Sequence, residues 1–343
     1  MNVKVTLDEA THTYTDDKKQ VYTSVTTVIG KYEKPFNKEF WAVWTALKEM
    51  GVRGIRPMPE TDQIMISGRP FSLQQIYDDK ALRMESKRLK MENKWADITE
   101  RSCKRGNETH NYLEDSTNEI YNKKGQFQEV SSIKGEMKSS HLRTIKGDKD
   151  FELVGAELDI QKLENSSMKH RYPDVYQLIV NLVAKGYTLL AECRICIEEY
   201  LLAGTIDLLC VRRKEFIIVD WKTNKDEMKF ESGYYQKVEV MRDGKKTFIK
   251  GNQWIVKDER MLFPLDTLQK CKGTIYSMQL STYAWMMEYY GFTWLKSILV
   301  HIRRTDEQDY APVFYPNLKY YKHEVTLMLN HHKKQLNAKN DGK

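Results

Sequence analysis

Ala203-Gly204-Thr205-Ile206-Asp207 and Val219-Asp220-Trp221-Lys222 are the two stretches on which the fold of this chain depends. The apolar residues between them are interrupted by a polar centre at Arg213-Lys214, which predicts a β-hairpin. Because Asp207 and Asp220 are equally distant from that centre, the hairpin places them opposite each other. Alternation along the second strand puts Lys222 on the same face as Asp220.

Two carboxylates that face each other across a pair of strands repel and weaken the pairing. A divalent cation bound between them reverses that effect, and a lysine on the same face then stabilises an anion or orients a water molecule. The pattern of two aspartates and a lysine therefore predicts a metal site. A solvated hairpin face without an ion is the alternative that the same residues allow.

A third carboxylate, Glu192, lies in the β-prone run Leu189–Ile195 ahead of the hairpin. We expect this run to form the neighbouring strand and to bring Glu192 close to the aspartates. Glu198 and Glu199 follow in the same segment and are competing candidates. A strand glutamate that faces solvent is the simpler interpretation of Glu192 alone.

Two helical motifs flank these strands. Amphipathic spacing predicts a helix over about 96–113, which contains Gly106-x-x-x-His110, and its imidazole suits Mn²⁺ better than Mg²⁺. A second helix over about 274–290 places Gln279 and Tyr283 on one face, because they are four residues apart. Taken singly, each motif is also ordinary helix surface.

The motifs occur in the order helix, three strands, helix and a final strand at 298–302. This order resembles the PD-(D/E)XK nuclease superfamily and its RecB-like branch. Within the branch the chain is most similar to the mitochondrial genome-maintenance exonuclease group, on the run Ser24–Ile29, on Gly106-x-x-x-His110 and on the block Val219–Thr223. The resemblance implies an α/β fold with an α-β-β-β-α-β core. Its mixed central sheet is flanked by helices, with a helical N-terminal region and insertions.

The resemblance also implies a role for each of these side chains. Those implied in catalysis are Asp207, Asp220, Lys222 and Glu192. Those implied as ligands of Mg²⁺ or Mn²⁺ are His110, Asp207, Asp220 and the carbonyl of Trp221. Those implied in DNA binding, or in ordering the site, are Gln279 and Tyr283.

The activity implied is metal-dependent DNA cleavage by an exonuclease that prefers single-stranded ends, in replication, repair or recombination. A structure-specific or partner-dependent endonuclease is an alternative, as is a nuclease that acts on RNA. An inactive nucleic-acid-binding module is an alternative of another class. The expected partners are single-stranded DNA and replication or recombination proteins.

Three segments are predicted along the chain. An N-terminal hairpin and helical region covers 1–93, the nuclease core covers 94–316 with insertions at about 118–150 and 225–272, and a closing helix with a basic tail covers 317–343. Pro57 and Pro59 predict a loop over 51–68. Asp243-Gly244 predicts the turn of a hairpin between 237 and 249.

Composition narrows the class of protein. A net charge of +7 favours a polyanionic partner without requiring one. No apolar run is long enough to span a membrane, and the N-terminus shows no signal or transit pattern, so a cytoplasmic protein of bacterial or phage origin is expected. The five scattered cysteines argue against a disulfide framework. Iron–sulfur members of the branch carry cysteines after the second helix, and since none follows Cys271 here, no cluster is expected.

Overall fold

The structure is a computed structural model, and it describes residues 5–8, 11, 13–115, 142–148, 152–157, 167–242, 245–303 and 310–341. The chain divides into two compact units. The large unit comprises Met1–Lys34 with Glu108–Lys343, and the small unit comprises Pro35–Asn107.

The bounds of the regular elements are as follows. The strands are β1 (Val5–Asp8), β2 (Thr13–Asp16), β3 (Val21–Ser24), β4 (Ile55–Met58), β5 (Gln63–Ile66), β6 (Arg69–Ser72), β7 (Leu142–Lys146), β8 (Glu152–Glu157), β9 (Thr188–Ile197), β10 (Leu202–Arg212), β11 (Glu215–Lys222), β12 (Gly233–Arg242), β13 (Lys245–Val256), β14 (Thr293–His301) and β15 (Val313–Tyr315). The α-helices are α1 (Val25–Gly30), α2 (Lys38–Glu49), α3 (Leu73–Asp78), α4 (Met84–Asp115), α5 (Met168–Arg171), α6 (Pro173–Ala184), α7 (Lys272–Tyr289) and α8 (Lys322–Asp341).

The large unit is built on a mixed sheet around β10. Strand β9 pairs antiparallel along most of one edge of β10. The other edge is shared, because β3 pairs parallel with its first residues and β11 pairs antiparallel with its last. Beyond β11 the sheet continues through β14, which is parallel, and β15, which is antiparallel. Strands β8 and β7 extend the sheet beyond β9, and β2 and β1 extend it beyond β3.

Helices cover both faces of this sheet. On one face Phe216 and Ile218 of β11 join a core with residues of α1, α7 and α8. On the other face Ile217, Val219 and Trp221 join a core with residues of α6. The two faces alternate residue by residue along β11, as the sequence pattern predicts. The predicted α/β class with a mixed central sheet flanked by helices is confirmed.

Local sequence signals account for where several elements begin and turn. Helix α1 begins after Ser24, whose side chain accepts a hydrogen bond from the Thr27 amide. Helix α2 begins after Asn37 in the same way. The β10–β11 hairpin turns at Arg213-Lys214, as predicted, with Arg213 in the left-handed region at φ 57°.

The small unit has a core of its own, formed by residues such as Phe40, Leu47 and Ile64, which are fully buried. It contains a three-stranded antiparallel sheet of β4, β5 and β6. The prediction of a loop over 51–68 is therefore wrong. Pro57 fits a strand here because β4 lies at the edge of the sheet, where a missing N–H costs no ladder hydrogen bond.

The units divide the chain differently from the three predicted segments. The N-terminal strands belong with the central sheet, and the C-terminal helix α8 belongs to the same unit. Most of the predicted insertion at about 118–150, and the turn at 243–244, lie outside the described residues. The two strands that flank that turn are longer than predicted. Among the described residues, no helix is both long and apolar enough to cross a membrane.

Candidate metal centre

The predicted carboxylates lie on three neighbouring strands. The β10–β11 pairing runs from Arg212↔Glu215 to Leu208↔Val219, so its next step places Asp207 opposite Asp220. In the β9–β10 pairing, residue 206 pairs with 193 and residue 208 pairs with 191. The intervening pair, Asp207 with Glu192, is missing from the ladder, but its register places the two residues opposite each other. Glu192, Asp207 and Asp220 therefore form a row across β9, β10 and β11, as predicted.

Asp207 lies at the point along one edge of β10 where the neighbouring strand changes from β3 to β11. Strand β3 pairs only with Leu202 and Ala203, and β11 begins to pair at Leu208. The backbone between these positions has no strand partner on that edge among the described residues. We call this unpaired stretch the fork in β10. The Trp221 amide donates a hydrogen bond of 2.9 Å to Asp207 Oδ2 there.

Glu192 adopts a left-handed backbone conformation in the middle of β9, with φ 49°. Such a conformation is uncommon for a residue with a side chain and tends to occur at functional sites. It coincides with a change of side-chain alternation, because Leu190 and Cys193 lie on the same face although they are three positions apart. The distortion therefore breaks the β9–β10 pairing at the level of Asp207.

His110 of helix α4 joins this group. Its Nδ1 lies 3.6 Å from Asp207 Oδ2. One donor atom from each of His110, Glu192 and Asp207 lies within 4.8 Å of the other two. One imidazole and two carboxylates form a donor set that suits Mn²⁺ and, through its oxygens, Mg²⁺. The residues therefore fit a divalent cation, and Glu192 rather than Asp220 is the third member of the group.

Asp220 is a strongly perturbed carboxyl group beside this cluster. It is 1% exposed, and its two oxygens accept no well-aligned hydrogen bond within the described part of the chain. Its charge is compensated by Lys222, whose Nζ lies 2.6 Å from Oδ2. Burial raises the pKa of Asp220 to about 6, opposed by Lys222 and assisted by Asp207. Unused acceptor capacity in a buried carboxylate is a second observation that fits a nearby cation.

Lys222 remains charged despite its burial. Desolvation alone would lower the pKa of the ammonium group, but Asp220 and Asp207 raise it above the ordinary value. Its Nζ also lies 5.0 Å from the centre of the Tyr276 ring, a cation–π contact. The Tyr276 hydroxyl donates to Asn224 Oδ1, and the Asn224 carbonyl contacts His301 Nε2 at 2.9 Å. Lys222 is therefore a positioned cation at the edge of the cluster.

Gln279 and Tyr283 lie on helix α7 beside the same strands. Gln279 Nε2 donates to the Tyr283 hydroxyl at 3.5 Å. Tyr283 is 4% exposed and packs so closely on β10 that a Cβ added at Gly204 would lie 2.5 Å from its ring. Burial raises the pKa of Tyr283, and the charges of Asp207 and Asp220 contribute. Of the two predicted roles, this burial suits ordering of the site, and contact of Gln279 and Tyr283 with DNA stays a prediction.

Tyr14 is a neighbour of the site that sequence reasoning missed. Its hydroxyl forms a hydrogen bond of 2.9 Å with Thr205 Oγ1, two residues before Asp207. Burial raises the pKa of Tyr14, and the charges of Glu192 and Asp207 add to that effect. No local motif marks this residue, since the chain brings it to the site only through the pairing of β3 with β10.

The cysteine pair in β9 does not form a metal site. Cys193 lies in the core beneath α7, and Cys196 packs on the opposite face beside Tyr14. A spacing of three residues along a strand produces this arrangement, as predicted. Both thiols are buried, and burial raises the pKa of Cys196 to about 12.

Comparisons of this chain with protein-family models, with curated proteins and with solved structures found no match.

Proposed function

We propose that this chain is a divalent-metal-dependent nuclease with a core of the PD-(D/E)XK type, from the RecB-like branch. The single observation that carries the proposal is the convergence of His110, Glu192 and Asp207 within 4.8 Å at the fork in β10. The buried pair of Asp220 and Lys222 adjoins this group on β11. The order α4, β9, β10, β11, α7, β14 along the chain supports it.

The chemistry of each side chain fits hydrolysis of a phosphodiester. His110, Glu192 and Asp207 would hold Mg²⁺ or Mn²⁺, with Asp220 and the Trp221 backbone beside them. The bound cation would lower the pKa of a water molecule and offset charge on the phosphate. Lys222 supplies a fixed positive charge for the developing oxyanion or for the attacking water. Tyr283 and Gln279 hold β10 and α7 together behind the carboxylates.

DNA is the proposed substrate, and an exonuclease that prefers single-stranded ends is the proposed activity. The resemblance to the mitochondrial genome-maintenance exonuclease group and the net charge of +7 support this choice. A structure-specific or partner-dependent endonuclease has the same site chemistry and differs in which substrate reaches it. An inactive binding module is disfavoured by the retention of both the candidate ligands and Lys222.

Cleavage of end-labelled linear and covalently closed circular single-stranded DNA tests the proposal. Each substrate is incubated with Mg²⁺, Mn²⁺ or EDTA. The parental protein is compared with Lys222→Ala and with Lys214→Ala, which removes an exposed lysine from the turn of the same hairpin. We expect metal-dependent loss of the linear substrate for the parental protein and for Lys214→Ala, and no loss for Lys222→Ala.

The other outcomes separate the alternatives. Cutting of the circle by the parental protein, abolished in Lys222→Ala, identifies an endonuclease at this site. Binding of DNA without cleavage under any metal condition identifies an inactive module. Equal cleavage by the parental protein and Lys222→Ala would show that the site is assigned wrongly.

A further inference from the structure

Strands β12 and β13 form a ribbon that pairs with no other strand in the described parts of the chain. Along the chain they follow β11 and precede helix α7. The two strands pair antiparallel, with a register shift between Tyr235 and Lys237. A two-stranded ribbon without a covering layer is marginally stable and leaves both faces in water. The composition of those faces is therefore informative.

One face of the ribbon carries aromatic rings and lysines together with one glutamate. Cross-strand neighbours on this face are Tyr235 with Trp254, then Lys237 with Lys250, then Glu239 with Phe248. The Lys250 Nζ lies 4.0 Å from the centre of the Tyr235 ring, which shows that the rungs on either side of the register shift share this face. We call it the lysine–aromatic face.

Lys229 completes the base of this face. Its Nζ lies 5.3 Å from the Tyr235 ring centre and 5.4 Å from that of Trp254. The two rings meet edge to face at 5.0 Å. Glu227 pairs with Lys229 and accepts from the Tyr235 hydroxyl, so the base is held in a fixed arrangement.

Further along the ribbon the same face is open to solvent. Phe248 and Met241 are each 63% exposed. Lys237 and Lys250 are exposed and form no ion pair with any described residue. Large apolar side chains beside exposed ammonium groups are unusual as plain solvent-facing surface, and they favour a binding surface.

We propose that the lysine–aromatic face binds single-stranded nucleic acid, with phosphates at Lys237 and Lys250 and a base stacked on Phe248. This inference deepens the proposed function and rests on it for the identity of the polymer. Charge complementarity favours a polyanion, because the two exposed lysines lack acidic partners among the described residues. Aromatic rings beside cations are the composition by which single-strand-binding proteins hold bases and backbone together.

Binding is measured apart from cleavage by fluorescence anisotropy with a labelled oligothymidylate in EDTA. Lys237→Glu/Lys250→Glu is expected to weaken binding at least tenfold. It should also reduce the slope of log affinity against log salt by about 0.7 for each phosphate that the variant no longer neutralises. Phe248→Ala is expected to weaken binding about tenfold, because one base can no longer stack.

Two matched controls accompany these variants. Lys185→Glu/Lys334→Glu reverses two exposed lysines elsewhere in the large unit, so that the change in net charge is the same. Ile249→Ala truncates the neighbour of Phe248 on the opposite face of the ribbon, where Ile249 is 39% exposed. Both controls should retain parental affinity, and circular dichroism should show all four variants folded.

Parental affinity in the Lys237→Glu/Lys250→Glu and Phe248→Ala variants overturns the inference, as does the absence of oligothymidylate binding by the parental protein. An equal loss of affinity in Ile249→Ala and Phe248→Ala overturns the assignment to this face. Hydrolysis of a small diester, bis(p-nitrophenyl) phosphate, separates the two proposals. Ribbon variants should retain that hydrolysis, whereas failure of Lys222→Ala to reduce it counts against the metal centre and leaves the ribbon result standing.

Discussion

At the scale of single residues, the site depends on a charge balance among buried groups. Asp220 and Lys222 compensate each other at 2.6 Å, while Asp207 adds a second negative charge nearby. A buried carboxylate with raised pKa favours proton binding, and a cation held beside it favours the ionised form. The facing carboxylates of Asp207 and Asp220 therefore repel each other, and a cation bound at the proposed centre would reduce that repulsion.

Lys222→Ala should lower the rate of DNA cleavage by about 100- to 1,000-fold, the effect typical of removing one electrostatic contact to a transition state. Lys222→Arg should not restore the rate, because the Lys222 side chain is only 15% exposed and a planar guanidinium does not reproduce the compact ammonium charge beside Asp220. Single-turnover cleavage with saturating enzyme measures both variants. Activity of Lys222→Arg near that of the parental protein would contradict a point-charge role.

Stability without metal should fall as pH rises through the range from 3.8 to about 6. The folded-state pKa of Asp220 is raised to about 6 from 3.8, so the folded protein binds the proton more tightly than the unfolded chain in that window. The contribution of Asp220 is therefore favourable at low pH and is lost as pH rises through its folded pKa. Urea unfolding in EDTA at several pH values measures the free energy of unfolding. In Asp220→Asn the decrease of that free energy between pH 3.8 and about 6 should become smaller.

The stabilisation produced by Mn²⁺ should have the opposite pH dependence. Asp220 lies beside the candidate ligands, so its ionisation adds negative charge next to the cation, and the increase in Tm on adding Mn²⁺ should be largest above pH about 6 and should shrink below it. Thermal unfolding with and without Mn²⁺ measures this difference. A Tm increase that is independent of pH in the parental protein, or unchanged in a His110→Ala/Asp207→Ala variant, would contradict the assigned ligands.

At the scale of secondary-structure elements, the packing of α7 on β10 holds the carboxylates in place. Gly204 is required there because an added Cβ would lie 2.5 Å from the Tyr283 ring, and a buried ring cannot move away cheaply. The Tyr14–Thr205 hydrogen bond anchors the same segment of β10 from the N-terminal strands. The segment that ends at Asp207 is therefore positioned from both sides.

Gly204→Ala should destabilise the protein by about 1–3 kcal/mol through overpacking, and it should reduce cleavage by displacing Asp207. Gly30→Ala is the matched control, because a Cβ at Gly30 meets no atom within 4 Å. That control should be neutral or slightly stabilising. Urea unfolding measures both variants, and equal effects would show that the Tyr283 packing is not the cause.

At the scale of the whole molecule, the chain is two units with separate cores. The small unit buries Ile64 completely among residues of 35–107 only. Ile64→Ala should cost about 2–5 kcal/mol of stability within that unit by creating a cavity. Hydrogen exchange should then show faster exchange in 35–107, while the Mn²⁺ affinity of the metal centre remains unchanged. A large decrease in Mn²⁺ affinity would contradict the separation of the cores.

Much of the site followed from local pattern. The symmetric distances of Asp207 and Asp220 from Arg213-Lys214 predicted their register, because a tight hairpin leaves one way to pair two strands of this length. Alternation predicted that Lys222 would share a face with Asp220. The strands of the small unit were missed because Pro57 and Pro59 signal a loop, and only the edge position of β4 makes proline compatible with pairing.

The amino-acid sequence by itself determined the order of the elements, the register of the central hairpin and the identity of the charged residues, because these depend on neighbours along the chain. Tertiary structure alone decided the fork between β3 and β11, the left-handed conformation of Glu192 and the approach of Tyr14 and Tyr283. Those features arise from packing between segments far apart in sequence, where each partner constrains a backbone position that no local pattern records.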